Sequence, residues 1–248
     1  MPPFLSIIIP AHNEEARLPG SLKQVIDFID AQDYETEVII VENGSQDRTA
    51  KIGKEIAAGH SSVRLIEEPH AGKGLAVRRG MLAAEGMFRF ICDADLSMPI
   101  AEVNRFLPPV APPYDVAIAS REVPGAKRYG EPQYRHFVGR IFNLLVRLIT
   151  LPGIQDSQCG FKCFRDEIVE DLFQVQIIDG WTFDVEVLFI AMQRGYKIIE
   201  IPIPWYFNSG SRVRLIKDSS VMFSDLFRIR LNWRRGLYAR PGGEDDQP

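Results

Sequence analysis

Met87-Phe88-Arg89-Phe90-Ile91-Cys92-Asp93-Ala94-Asp95 is the stretch that decides the fold. Its first six residues are a short apolar run of the kind that forms a strand buried in a parallel sheet. Two carboxylates, two residues apart, close it. At the mouth of a strand, Asp93 and Asp95 offer hard oxygen ligands to Mg²⁺ or Mn²⁺, with positions left for water and substrate phosphates. An ordinary solvated strand end carries the same residues. Position separates the two readings, because three strand–helix units precede this one and ligands of open α/β sheets bind at the carboxyl ends of strands.

Those units are read from periodicity. Phe4 to Ile9 is a continuous apolar strand ended by Pro10, and Leu18, Leu22, Val25, Ile26 and Ile29 repeat at helical spacing. Glu37 to Val41 is a second strand, followed by Asn43-Gly44-Ser45 and a helix capped by Ser45 or Asp47. Val63 to Ile66 and Gly74 to Ala84 form the third strand and helix, and Asp115 to Ala119 adds a strand after a Pro-rich turn. Strands alternating with helices predict an α/β fold, a Rossmann-like, mainly parallel sheet flanked by helices with right-handed crossovers.

The second half changes character. Glu122 to Tyr134 is polar and reads as a long binding loop. Phe137 to Leu151 reads as an apolar helix on which His136, Arg140, Asn143 and Arg147 form one polar stripe. It is too short to span a bilayer, so it packs in a core or lies in a membrane interface, with Phe142 and Leu145 on the expected lipid side. Thr182 to Arg194 is a further helix, Lys197 to Ile203 a strand, and Ser219 to Leu237 a last amphipathic helix rich in arginine. These features predict one domain over residues 1–238, with 1–120 binding a nucleotide and 121–238 facing the acceptor and the membrane. The acidic, Gly-rich tail 239–248 is expected to be disordered.

Charge and cysteine content narrow the classes. The formal net charge of −4 argues against a generic nucleic-acid binder. Arg121 to Thr150 nevertheless holds six Lys/Arg against two acids, and Arg212 to Arg240 eight against two, which points to an anionic partner on one face. Cys92, Cys159 and Cys163 make neither a disulfide framework nor a zinc site, so buried thiols in a reducing cytoplasm are expected. No stretch reaches the ~18 apolar residues of a membrane span.

Two loops should share the sheet edge with Asp93. In Ile9-Pro10-Ala11-His12-Asn13-Glu14-Glu15, the backbone of Pro10 and Ala11 suits a planar base and Asn13 or Glu14 suits ribose hydroxyls. Glu14 and Glu15 also fit as first-turn carboxylates favoured by the helix dipole. In Val41-Glu42-Asn43-Gly44-Ser45-Gln46-Asp47, Glu42 can accept from a base N–H, or serve as turn chemistry. Trp181 and Phe183 read as core, with stacking on a sugar the alternative for Trp181.

Together these motifs resemble glycosyltransferase family 2, the GT-A nucleotide-diphospho-sugar transferases, over roughly Phe4 to Arg235. The resemblance also rests on His70-Ala71-Gly72-Lys73-Gly74 with Val77-Arg78-Arg79-Gly80. Ala119-Ser120-Arg121, Asp156 to Lys162 and Gly180 to Glu186 are similar to the polyprenyl-phosphate branch, nearer its glucosyl- than its mannosyl-transferring members. It implies that Pro10, Ala11, Asn13, Glu14 and Glu42 frame the nucleoside and that Lys73 approaches the phosphates. Asp93 and Asp95, with Ala94 between them, would hold Mg²⁺ or Mn²⁺ and the diphosphate. Arg121 and Arg135 would bind the acceptor phosphate, with Arg212 or Arg214 on a closing loop, and Asp156 and Gln158 would line the sugar and acceptor side.

Three departures qualify the resemblance. Glu42-Asn43 stands where many members have two aspartates. Ser97 stands where mannosyl-transferring members often place a Gln. Many members carry transmembrane helices, and none is visible here. The expected activity is inverting, metal-dependent transfer of a hexose, glucose from UDP-glucose first, to a polyprenyl or dolichyl phosphate, by a peripheral enzyme at the cytoplasmic membrane face. GDP-mannose as donor and a soluble sugar or small molecule as acceptor are the alternatives.

Overall fold

The computed structural model describes residues 2–208 and 215–240, the side chains of 215–219 excepted. The expected closing-loop residues Arg212 and Arg214, and most of the acidic tail, lie outside them. Seven strands form one sheet, β1 Leu5–Ala11, β2 Thr36–Asn43, β3 Val63–Glu68, β4 Phe88–Ile91, β5 Val116–Ser120, β7 Lys162–Arg165 and β8 Ile198–Pro202, in the order β3-β2-β1-β4-β7-β5-β8. Two short strands, β6 Lys127–Tyr129 and β9 Pro204–Tyr206, pair separately.

Helices α1 Leu18–Asp30, α2 Thr49–Gly59 and α3 Lys73–Ala83 are the crossovers between the first four strands. The pairings β1–β2, β1–β4, β2–β3 and β5–β8 are parallel, as the alternation predicts, so these strands present their carboxyl ends to one edge. β7 was not legible. It is four residues long and inserts antiparallel between β4 and β5. Its insertion sets Lys162 opposite Ile91, two residues before Asp93.

Each face of the sheet carries a core. Leu18, Leu22, Val25 and Ile29 of α1, with Phe106 of the 3₁₀ helix Ile100–Phe106, cover one face. Val77 and Met81 of α3, α5 Asp166–Phe173 and α6 Phe183–Gln193 cover the other. The three cysteines are buried free thiols, as expected.

Helix α4, Gln133–Ile149, packs Val146 on the core and carries a second apolar face outward. Asn143 of the polar stripe is buried, and Arg147 turns back to donate to Gln155 Oε1 at 2.6 Å. Phe137, Val138, Ile141, Leu144 and Leu148 are exposed, Leu148 by 72%. Phe142 and Leu145 are partly buried against the core, which corrects the expectation that they form the outward face. Helix α7, Leu215–Arg234, lies beside α4, where Arg230 donates to the Ile149 carbonyl at 2.6 Å. It exposes Val221, Phe223, Phe227 and Leu231. No helix among the described residues is long and apolar enough to cross a membrane.

Candidate active site

A cavity of about 570 Å³ opens at the carboxyl edge of the sheet. Sheet order distributes its walls. β1 and β2 supply Pro10, His12, Glu14 and Asn43 on one side, the loop after β4 supplies Asp93, Ala94 and Asp95 in the middle, and Arg121, after β5, stands on the far side. Lys73, Gln158 and Arg135 complete the expected set.

The carboxylate loop is held by its own backbone. Leu96 takes a left-handed conformation (φ 45°), the Ser97 N–H donates to Asp95 Oδ1 at 3.0 Å, and Ser21 of α1 donates to the Ala94 carbonyl at 2.6 Å. Asp93 packs against Gly160 so closely that a Cβ there would lie 2.1 Å from Oδ2, so any side chain there displaces the carboxylate. Lys73 is fixed by a similar close approach. The Gly74 N–H donates to the Asp179 carbonyl at 2.8 Å, and a Cβ on Gly74 would meet the Ile178 carbonyl at 2.4 Å.

Four charges meet at this point, Lys162 and Asp184 buried and Lys73 and Asp93 partly exposed to the cavity. Lys73 Nζ lies 2.6 Å from Asp93 Oδ1, and Lys162 Nζ lies 2.8 Å from Asp184 Oδ1. Burial works to raise the Asp93 carboxyl, but Lys73 outweighs it and holds the group below the usual carboxylate range. Asp95 moves the other way, raised by burial and by the neighbouring Asp93 charge. Two carboxylates that repel one another and face an open cavity suit a shared divalent cation.

The far side is cationic. Arg121 grips Asp156 through Nε at 2.7 Å and Nη2 at 2.9 Å, and its backbone N–H donates to the same carboxylate at 2.9 Å. Asp156 is fully buried and does not reach the cavity. Desolvation opposes its ionisation, but Arg121 prevails and the carboxyl lies below its ordinary value. This geometry makes Asp156 the brace of Arg121 and corrects its expected place on the cavity wall. The Arg121 guanidinium also stacks 5.3 Å from the Trp205 ring, and Arg135 lies 5.3 Å from the Phe207 ring. The buried Arg135 Nε has no hydrogen-bond partner among the described residues, which leaves a donor for an anion.

The nucleoside side departs from expectation more. Ala11 and Glu42 are buried behind the wall, and Glu42 Oε1 accepts from the Ser45 N–H at 2.5 Å, the turn chemistry. Asn13 supports the loop by accepting from the Gln46 N–H at 2.8 Å. Asn43, beside Glu42, reaches the cavity and donates to the Gly72 carbonyl at 3.2 Å. His12 also lines it, with Nδ1 donating to the Asn43 carbonyl at 2.7 Å. Glu14 lines the cavity and binds Arg17 bidentately at 2.6 Å. Sequence reasoning missed His12, Arg17, Asn43, Asp184 and Phe207, and it favoured the core over the cavity for Trp181, which lines the cavity. The alternation of side chains along β2 was the available signal for Asn43, since neighbours on a strand face opposite sides.

With the site described, its family is plain. The model of glycosyl transferase family 2 matches residues 6–173, and the chain belongs to that family. It is 33% identical to a dolichyl-phosphate beta-glucosyltransferase of Trichomonas vaginalis, over 95% of this chain and 75% of that one. The protein of that name from Saccharomyces cerevisiae is 32% identical over 95% of this chain and 76% of its own, and the human one 30% over 94% and 77%. Glucosyl-3-phosphoglycerate synthase from Mycobacterium tuberculosis, solved with Mn²⁺, UDP and phosphoglyceric acid, shares the GT-A fold. Its TM-score is 0.66 at 18% identity, covering 96% of this chain and 80% of that one.

Asp156→Asn should lower stability by ~3–5 kcal/mol, the cost of breaking a buried ion pair. Because the Asp156 carboxyl is depressed in the fold, its contribution is complete above the ordinary Asp value of about 3.9 and is lost as pH falls below it. Thermal unfolding of both proteins should show a constant gap from about pH 5 to 8 that narrows in acid. A gap independent of pH down to acid unfolding contradicts the assignment.

Proposed function

We propose that this protein transfers glucose from UDP-glucose to a polyprenyl phosphate of the dolichyl type, with inversion, as a peripheral enzyme at the cytoplasmic face of a membrane. The observation that carries the reading is the meeting of the arginine end of the cavity with the outward apolar face of α4. Arg135, which lines the cavity, belongs to the same helix as exposed Phe137, Ile141, Leu144 and Leu148. A lipid-linked phosphate arriving from an interface meets Arg135 and then Arg121. The names of the relatives supply the acceptor class and the glucosyl group.

The chemistry asks little covalent help from the chain. An acceptor phosphate is already ionised near neutral pH and attacks the anomeric carbon without a strong base. Asp156, saturated by Arg121, is therefore a positioning group. Arg121 and Arg135 bring phosphate oxygens to the cavity, a task for which the guanidinium fork is suited. Asp93 and Asp95 would hold Mg²⁺ or Mn²⁺, which when bound neutralises charge on the departing diphosphate. Residues 1–120 bind the donor and 121–238 the acceptor. Trp181 closes the wall above Lys73, at 5.4 Å from its ammonium. A single in-line displacement turns an α-linked donor into a β-linked product.

Calorimetric titration with Mn²⁺ present should give tighter binding of UDP than of GDP. Tighter binding of GDP refutes the glucose assignment and favours GDP-mannose.

The membrane face is tested on α4 itself. Ile141→Glu with Leu148→Glu places charge on exposed positions and leaves buried Val146 and Asn143 untouched. Each apolar side chain buried in an interface is worth roughly 1.5–3 kcal/mol, so flotation with anionic liposomes should fall more than tenfold while the unfolding temperature holds. Unchanged flotation removes α4 from the membrane face and returns weight to a soluble acceptor.

A further inference from the structure

Asp93 is asked to hold two cations. Its Oδ1 already lies 2.6 Å from the Lys73 ammonium, and its Oδ2 is hemmed in by Gly160. A divalent cation shared with Asp95 needs the same carboxylate, and an ammonium in contact with it repels that cation directly. Lys73 is not committed to Asp93 alone. The Trp181 ring stands 5.4 Å from its ammonium, and the Asp184 carboxylate also acts on its charge. Asp184 is itself anchored by Lys162, whose side chain is 2% exposed and donates to the Cys159 carbonyl at 2.5 Å. The ammonium thus sits between one carboxylate that a metal would claim and a fixed acidic and aromatic wall that keeps it in the cavity.

We propose that Lys73 is a built-in counter-ion of Asp93 that competes with the divalent cation and passes to the donor's diphosphate when the cation takes Asp93. The proposal rests on the reading of Asp93 and Asp95 as metal ligands. It gives Lys73 two opposed effects. Without nucleotide the lysine weakens metal binding. With nucleotide the diphosphate offers the displaced ammonium a new anionic partner, so metal and donor load together. A lysine that only binds donor has the second effect without the first.

The test follows free Mn²⁺ by its electron paramagnetic resonance signal during titration of the full chain, with and without UDP. Wild type is compared with Lys73→Met and Lys73→Gln, each checked for folding by circular dichroism. Asp95→Ala gives the baseline for Mn²⁺ held by UDP alone. Mn²⁺ without nucleotide should bind the Lys73 variants about tenfold more tightly than wild type, equivalent to about 1.4 kcal/mol. UDP at saturating Mn²⁺ should bind them more weakly. The glutamine variant preserves a hydrogen-bonding group without the charge and carries the test if the methionine variant misfolds. Unchanged or weaker Mn²⁺ binding by the folded variants overturns the counter-ion role and leaves the metal site standing. Mn²⁺ binding by wild type with UDP that does not exceed the Asp95→Ala baseline overturns the metal site itself.

Discussion

The ion pair between Lys73 and Asp93 is the point on which the rest of the site turns. It joins the first residue of α3 to the loop after β4; α3 is set by the backbone approach at Gly74, and the Asp93 carboxylate packs on Gly160. The antiparallel insertion of β7 brings Lys162 alongside, and α6 brings Asp184. Opposite charges alternate at a sheet edge where desolvation penalises each of them singly. Such a cluster persists only when every member is paired.

A second electrostatic feature stands apart from the first. Arg121 is stiffened by a fully buried carboxylate and a tryptophan face, and Asp156 is in turn oriented by its own N–H donating to Glu200 Oε1 at 3.0 Å. Arg128, by contrast, is neutralised between Glu122 and Glu131 at 2.5 and 2.7 Å. The chain therefore spends its acids selectively. It satisfies one arginine near the cavity with two carboxylates and, among the described residues, leaves the Arg135 Nε without a hydrogen-bond partner. Beside that donor, α4 packs Val146 on the core and still carries a second apolar face, Phe137, Ile141, Leu144 and Leu148, outward.

The parallel strands, the carboxylate pair and the two arginines were legible because each rests on a local signal. Short apolar runs ended by Pro10 or Asn43-Gly44 mark strands, and Asp93 and Asp95 follow directly from one. β7 was not legible, because four residues carry no period and its place between β4 and β5 depends on long-range pairing. Glu42 had two readings, an acceptor for a base N–H or turn chemistry, and strand parity sends Glu42 to the turn and Asn43 to the cavity. The orientation of α4 was ambiguous for a related reason. An amphipathic pattern defines two faces without saying which one the protein covers, and Phe142 and Leu145 fall near the boundary between them. Asp156 was expected on the cavity wall, and only its contacts, Arg121 and Glu200, show it to be a brace.

The most direct test of the account is transfer of radiolabelled glucose from UDP-glucose, with Mn²⁺, to a short-chain polyprenyl phosphate, with the anomeric configuration of the product read by NMR. The account predicts a lipid-extractable product in which glucose is β-linked to phosphate. Transfer only to water or to a soluble acceptor, or an α-linked lipid product, contradicts it.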